Sequence, residues 1–307
     1  MLERLHLELA ARNRQRLDAR FPVTNWRDEV SVESEVRLLE GEVLELERES
    51  VAARAATAPL DADAFIAWFE DLERTGPGQH DPLFEHLEHA ATLPQLRWFL
   101  HQEVAGEAGF EDLVALTQLK LDARPKLELA RNYWDEMGRG NEGGMHGPML
   151  ARLADALSLS DLDASQPIVW ESLALGNIMM ALAANRSYTY HSIGALGVIE
   201  LTAPARAKCV NAGLKRLAVA PNARHYYALH ATLDIKHSAA WNAEVLHPIV
   251  AAEPRAAQAI AEGALLRLHA GQRCFERYRR ELGLDIQPNR ASSASPLSRS
   301  ASPMSLR

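Results

Sequence analysis

Three ionisable side chains, His230, Asp234 and His237, recur at positions i, i+4 and i+7. That spacing brings side chains together only on one side of an α-helix. The same stripe runs through Tyr227 before the triplet and Trp241 after it, so the face reads as turned toward a core. Two imidazoles and a carboxylate on a buried face are costly unless something neutralises them. A divalent metal does so directly, because it takes neutral imidazole and ionised carboxylate together. The competing readings are a buried His–Asp hydrogen-bond network and a polar stripe in water. Three groups at this spacing favour the metal.

A helix of that kind needs other helices to cover it, and the rest of the chain supplies them. Val, Ile and Thr are sparse, and no stretch alternates apolar and polar residues long enough for a sheet. Helical spacing is expected over residues 30–56 and 61–73, with a break at Gly76-Pro77-Gly78. Pro94 opens a long helix to about residue 120, Arg124-Pro125 restarts it, and residues 126–136 follow. A glycine-rich joint spans residues 138–144. Beyond it helices are expected over 148–157, 169–185, 188–201, 205–217, 221–247 and 254–282, with Pro204 dividing the fourth from the third. The predicted organisation is all-α: an N-terminal helical extension over residues 1–92, one helical domain over 93–285, and a disordered Ser/Arg/Pro-rich tail over 286–307.

Charge and cysteine content narrow the function classes. The chain carries 33 basic and 41 acidic residues, a net charge of -8, and no basic face of the kind phosphate contact requires. A nucleic-acid partner is not expected. Cys209 and Cys274 are far apart and no CxxC is present, which argues against a disulfide framework or a zinc–thiolate site and for a reducing cytoplasm. The N-terminus lacks the continuous apolar stretch of a signal peptide, and no run approaches the length of a membrane span. The expected protein is cytoplasmic and makes no membrane contact. A homodimer is the default assembly.

Further candidates join the triplet. Glu200 shares a helix side with Ile193, Leu196 and Gly197, so its carboxylate looks inward, and Gly194 and Gly197 would let a partner helix come close. Glu136 sits at a helix end just before the glycine joint, and His146 just after it. Taken singly, each reads as a surface or helix-end residue. Together the six give three carboxylates and three imidazoles with no sulfur, a set suited to iron or manganese and large enough for two ions. Glu103 and Glu107 fall inside the apolar stripe of the helix opened by Pro94. Either is an extra metal ligand, a proton-transfer group, or the partner of an arginine on a neighbouring helix. Glu107 is the stronger candidate.

At this point the residues resemble the haem-oxygenase-like diiron oxidases and oxygenases. The late His-x3-Asp-x2-His helix, a Glu about thirty residues before it and an earlier Glu…His pair carry the likeness. So do the segment from Phe99 through Glu103 and Glu107 to Phe110, and that from Tyr133 to Gly140 followed by His146. These segments look like sequences of iron-containing redox enzymes. The resemblance implies a haem-oxygenase-like multi-helical bundle holding two ferrous ions, with dioxygen as co-substrate. By carry-over Glu136, His146 and His230 would hold one iron and Glu200, Asp234 and His237 the other, and Glu107 would match an additional carboxylate found in some members. A manganese–iron pair is the variant of that cofactor, and an external electron donor its implied partner. Family chemistry includes N-oxygenation of amines, oxidative cleavage of amino acids and decarboxylation of fatty acids, all on small molecules. The substrate is not implied.

Two rival readings stand beside this one. A thiaminase-like enzyme of the same architecture needs no metal but calls for a nucleophilic cysteine over a pocket. A helical binding or scaffold protein is the non-enzymatic reading, supported by the charged helix near residues 30–56. A second acidic and histidine cluster, His80, Glu85, His86, Glu88 and His89, lacks a flanking apolar stripe and reads as solvated. The single ExxH of Glu244 and His247 falls short of a ferritin-like pair.

Overall fold

Side-chain caps start three of the early helices. The computed structural model describes residues 2–22, 24–162 and 166–284. The first helices are α1 (Leu2–Leu17), α2 (Trp26–Ala55), α3 (Ala62–Thr75) and α4 (Pro82–His89). Asp61 caps α3 by accepting from the Ala64 N–H, and Asp81 caps α4 by accepting from the Leu83 N–H. Thr92 and Gln95 form a capping box at the start of α5 (Leu93–Gly106). Then follow α6 (Phe110–Thr117), α7 (Ala123–Glu136), α8 (His146–Ala156), α9 (Trp170–Ala184), α10 (Thr189–Arg216), α11 (His225–Trp241), α12 (His247–Ala252) and α13 (Ala256–Glu281). No sheet occurs among the described residues, where the one β-type pairing is an isolated bridge between Met137 and Met145. No helix is long and apolar enough to cross a membrane, again among the described residues. The tail expected to be disordered, residues 286–307, lies outside them.

Three boundaries differ from those expected, each for a local reason. The helix expected from Pro94 to about residue 120 is two helices, because Glu107 is extended and Gly109 adopts φ +76. The break swings Glu107 off the helix axis. Conversely, α10 runs unbroken through Pro204. A proline there forfeits a single hydrogen bond, the one its missing N–H would have donated to the Glu200 carbonyl, and residues on both sides of it are packed in the core. Glu200 therefore sits mid-helix and not at a helix end. The helix expected to reach His247 gives way to a π-type turn over Asn242–Leu246 directly after Trp241, a distortion that recurs beside functional sites.

The helix α10 is the centre of the bundle and packs along both α11 and α13. The α10–α13 crossing is closed by glycine on both sides. A Cβ on Gly194 would lie 1.9 Å from the Ile260 carbonyl oxygen, and one on Gly263 would lie 1.8 Å from that of His191. Around this axis the apolar residues form two clusters. One joins Leu9, Val36, Leu44, Phe65 and Phe69 of the first three helices to α9, the first half of α10 and α13. The other joins Leu83 and Phe84 of α4 to α5, α8 and the second half of α10. Helices α1 to α4, the expected extension, thus pack into the same cores as the later helices. Between the two clusters lies a cavity of about 160 Å3 with Phe110, Leu113 and Met179 on one side and Phe84, Phe99 and Val210 on the other.

Candidate metal centre

Four helices deliver the six expected ligands to one place. Glu136 ends α7 and His146 begins α8. The loop between them turns back through Gly138 (φ +60), Arg139 (φ +53) and Gly140 (φ +85), and the Met137–Met145 bridge ties its ends. A Cβ on Gly138 would lie 2.5 Å from the Gly144 carbonyl carbon, so the loop closes this tightly only with glycine there. Glu200 comes from α10 and His230, Asp234 and His237 from the inward face of α11, flanked as expected by buried Tyr227 and Trp241. All six are buried.

Ligand atoms converge in two sets that share one residue. Glu136, His146 and His230 form one set and Glu136, Glu200 and His237 the other, each with its ligand atoms within 4.8 Å of one another. Within the first, His146 Nδ1 is 2.9 Å from Glu136 Oε2, and His230 Nε2 is 3.7 Å from it. Within the second, His237 Nδ1 is 3.7 Å from Glu136 Oε1 and 3.4 Å from Glu200 Oε1. The two oxygens of Glu136 therefore face different histidines. Asp234 is outside both sets, but its Oδ1 is buried without a hydrogen-bond partner and it lines the cavity.

The far side of each imidazole on α11 is fixed. His230 Nδ1–H donates to the Tyr226 carbonyl at 2.8 Å, and His237 Nε2–H donates to Asp135 Oδ2 at 3.2 Å. Those bonds select the tautomers that turn a lone pair inward. The inward atoms, His230 Nε2 and His237 Nδ1, are both buried without a hydrogen-bond partner. Buried polar atoms are normally satisfied. Three unpartnered atoms on one helix face, two nitrogens and a carboxylate oxygen, are what a metal-binding face requires. The residues fit iron.

Electrostatics report the same crowding. Burial raises the Asp234 carboxyl, and the Glu200 carboxylate raises it further. Burial also opposes charge on Glu136, but the hydrogen bond with His146 and the proximity of His230 outweigh it and hold Glu136 well below the usual carboxylate range. His237 is pushed up to about 9, because Glu200 and Asp135 outweigh its burial. His146 lies well above the ordinary histidine range, with Glu107 and Glu136 outweighing burial.

Glu107 lines the cavity next to this cluster, its Oε2 3.9 Å from His146 Nε2 and its Oε1 accepting from the Gly109 N–H at 3.0 Å. Burial works against its charge, yet the nearby His146 and the Gly109 N–H hold it below the usual range. Three supporting residues carried no expected role. Asn132 Nδ2–H donates to Glu200 Oε1 at 2.5 Å, Asp135 accepts from His237, and the Tyr226 hydroxyl is 3.1 Å from His146 Nε2. Asn132 lies one turn before Glu136, and Tyr226 one turn before His230. Helical spacing alone would have put both on ligand faces.

The remaining candidates fall elsewhere. Glu244 pairs with Arg124 at 2.6 Å and His247 with Asp63 at 3.1 Å, both away from the cavity. Glu85 and His89 are exposed. Cys274 does line the cavity, where its thiol is 3.3 Å from the Glu171 carbonyl oxygen. Burial, then Glu103, pushes that thiol up to about 12, and burial with Glu88 pushes Cys209 up to about 11. A thiol so displaced supplies no thiolate at neutral pH, so the thiaminase-like reading finds no nucleophile.

The family model for iron-containing redox enzymes matches residues 97–272, more than half of the chain. The match takes in every helix that contributes a ligand. No curated protein matches the chain.

Proposed function

The chain belongs to the iron-containing redox enzyme family, an all-α haem-oxygenase-like bundle, and from that premise we propose that it is a non-haem diiron oxidase or oxygenase acting on a small organic substrate. Membership makes it an iron-containing oxidoreductase. The observation that carries the finer reading is Glu136, whose two oxygens serve two separate groups of histidines and carboxylates. A carboxylate so placed suits a shared ligand between two ions. In this reading His146 and His230 complete one ion's set, and Glu200 and His237 the other's. The unpartnered Oδ1 of Asp234 joins the second, next to Glu200.

Two bound irons would supply the electrons and the oxidising power that dioxygen chemistry needs. The protein's part is positioning and proton handling. Tyr226 and Asp135 lock the imidazoles of α11, and Arg139 in turn holds Asp135 at 2.6 Å. Asn132 holds Glu200 Oε1 on the side that faces His237. Glu107, ionised at neutral pH and at the cavity wall, can take a proton at Oε2 from a substrate beside it.

Dioxygen consumption tests this directly. Anaerobically iron-loaded protein mixed with buffered dioxygen should consume it faster than the same free ferrous iron, and Glu136→Ala should abolish the difference. Equal consumption by the variant would refute the assignment.

A further inference from the structure

Two arginines at the cavity wall have no part in the chemistry above. Arg206 of α10 and Arg267 of α13 both line it. Among the described residues neither guanidinium has a carboxylate within 4.0 Å or a hydrogen bond, and the Arg267 Nε is buried without a partner. Elsewhere in the fold Arg16, Arg48 and Arg273 each reach a carboxylate, at 2.5, 2.8 and 2.8 Å. Buried cations are ordinarily paired. Burial, with Arg267 adding to it, pushes Arg206 down to about 9, and Glu103 offsets that only in part. Glu103 is itself raised by burial. The group is therefore two half-buried guanidiniums, Arg206 lying 5.7 Å over the Phe275 ring, with Glu103 and Glu107 acting on Arg267 from more than 4.0 Å away.

Position gives this pair a meaning. Arg206 follows Glu200 by six residues on α10, about 9 Å along the axis at 1.5 Å per residue. Glu103 lies in the last turn of α5, just before the extended Glu107. The arginines thus stand at one end of the cavity and the ligand cluster at the other, with Phe84, Phe99, Val210 and Phe275 lining the space. We propose that Arg206 and Arg267 bind the carboxylate of a small organic acid whose apolar body lies along the cavity and whose far end meets the Glu136-centred cluster. This rests on the reading of that cluster as the reaction centre. A guanidinium pair matches a carboxylate in shape and charge. A monoanionic carboxylate meets less repulsion from Glu103 and Glu107 than a phosphate dianion would. The volume of about 160 Å3 is close to the ~150 Å3 of an engineered apolar cavity that takes benzene. A substrate of roughly six to ten heavy atoms follows from that comparison. Its carboxylate is then an anchor remote from the reacting end, not a metal ligand.

Titration calorimetry on the full-length chain tests this with hexanoate, 1-hexanol and hexyl phosphate as probes, metal-free and zinc-loaded. Hexanoate should bind the metal-free protein. Arg206→Gln and Arg267→Gln should each weaken it by about 10- to 100-fold, the range for a charge-assisted contact, and 1-hexanol should bind no better to wild type than to the variants. Because neither guanidinium forms an ion pair or a hydrogen bond, each variant's metal-free Tm should stay close to that of wild type. Hexanoate binding that requires zinc and is unchanged in both variants would put the carboxylate on the metal and overturn the proposal. Tighter binding of hexyl phosphate, or a lowered Tm in both variants alongside the lost affinity, would overturn it as well. Retained, arginine-dependent hexanoate binding in a protein that takes up no iron would support the anchor while refuting the diiron reading.

Discussion

Replacing Asp234 with Asn should make the empty protein more stable and the metal-loaded protein relatively less so. Asp234 is 2% exposed, and its Oδ1 has no hydrogen-bond partner. Burial, and then the facing Glu200, raise its carboxyl above its ordinary value of 3.8. A carboxyl with a raised folded value holds its proton more tightly when folded. Its contribution to stability is therefore fully present below about pH 3.8 and is lost as pH rises toward the folded value. At pH 7 the unfolded chain keeps a solvated carboxylate, while the folded chain must retain a proton or bury a charge. The amide has the same shape and neither cost. An unsatisfied buried group costs about 1–3 kcal/mol. At roughly 2–4 °C per kcal/mol for a large domain, the variant's metal-free Tm should rise by about 2–12 °C at pH 7, and by much less at pH 4. Melting curves at both pH values, without metal and with zinc, measure the effect. Zinc should raise the Tm of wild type through binding to the folded state alone, and should raise that of the variant less. A variant that melts below wild type without metal, and gains as much from zinc, would show that Asp234 is a structural residue and refute the reasoning.

Other outcomes follow from the same structure. His6 stacks on Trp170 at 5.6 Å, is 2% exposed, and is lowered from 6.5 to about 4 by burial, with Arg273 adding to the effect. Its stabilising contribution is complete above pH 6.5 and is lost as pH falls toward 4, about 3 kcal/mol in all. His6→Phe should flatten that part of the stability–pH curve. Gly194→Ala drives a methyl into the Ile260 carbonyl and should cost at least ~2 kcal/mol. Gly41→Ala, with nothing within 4 Å of the new methyl, should raise Tm, by up to ~1 kcal/mol of helix propensity. Because His237 stands at about 9 before metal binds, zinc affinity should climb between pH 6 and 9 and binding should release protons. Calorimetry in buffers of different ionisation enthalpy would detect them, and a pH-independent affinity would contradict the ligand assignment.

The ligand faces were legible because helical periodicity is a short-range rule. His230, Asp234 and His237 declare their common side in eight residues, and Glu200 does so through its apolar neighbours. Glu136 and His146 were legible only through the resemblance, since single residues at helix ends look like surface residues. Their meeting depends on the loop that Gly138 allows to fold back. Two boundaries defeated local reading in opposite ways. Gly109 breaks a helix whose apolar stripe continues through it, whereas Pro204 fails to break one that packing holds on both sides. Arg206 had no signature at all, because an arginine is a cavity residue only by virtue of which helices cross around it. Arg267 did leave one trace, a charge set among Leu265, Leu266 and Leu268 in a buried stretch.

Iron content after anaerobic ferrous loading bears most directly on the central claim, that Glu136 is shared by two ions. Wild type should retain about two irons per chain. His237→Ala, which strips one set alone, should retain about one or fewer, and Glu136→Ala, which strips both, should retain essentially none. A single iron in wild type, or two irons undiminished in Glu136→Ala, would contradict the account.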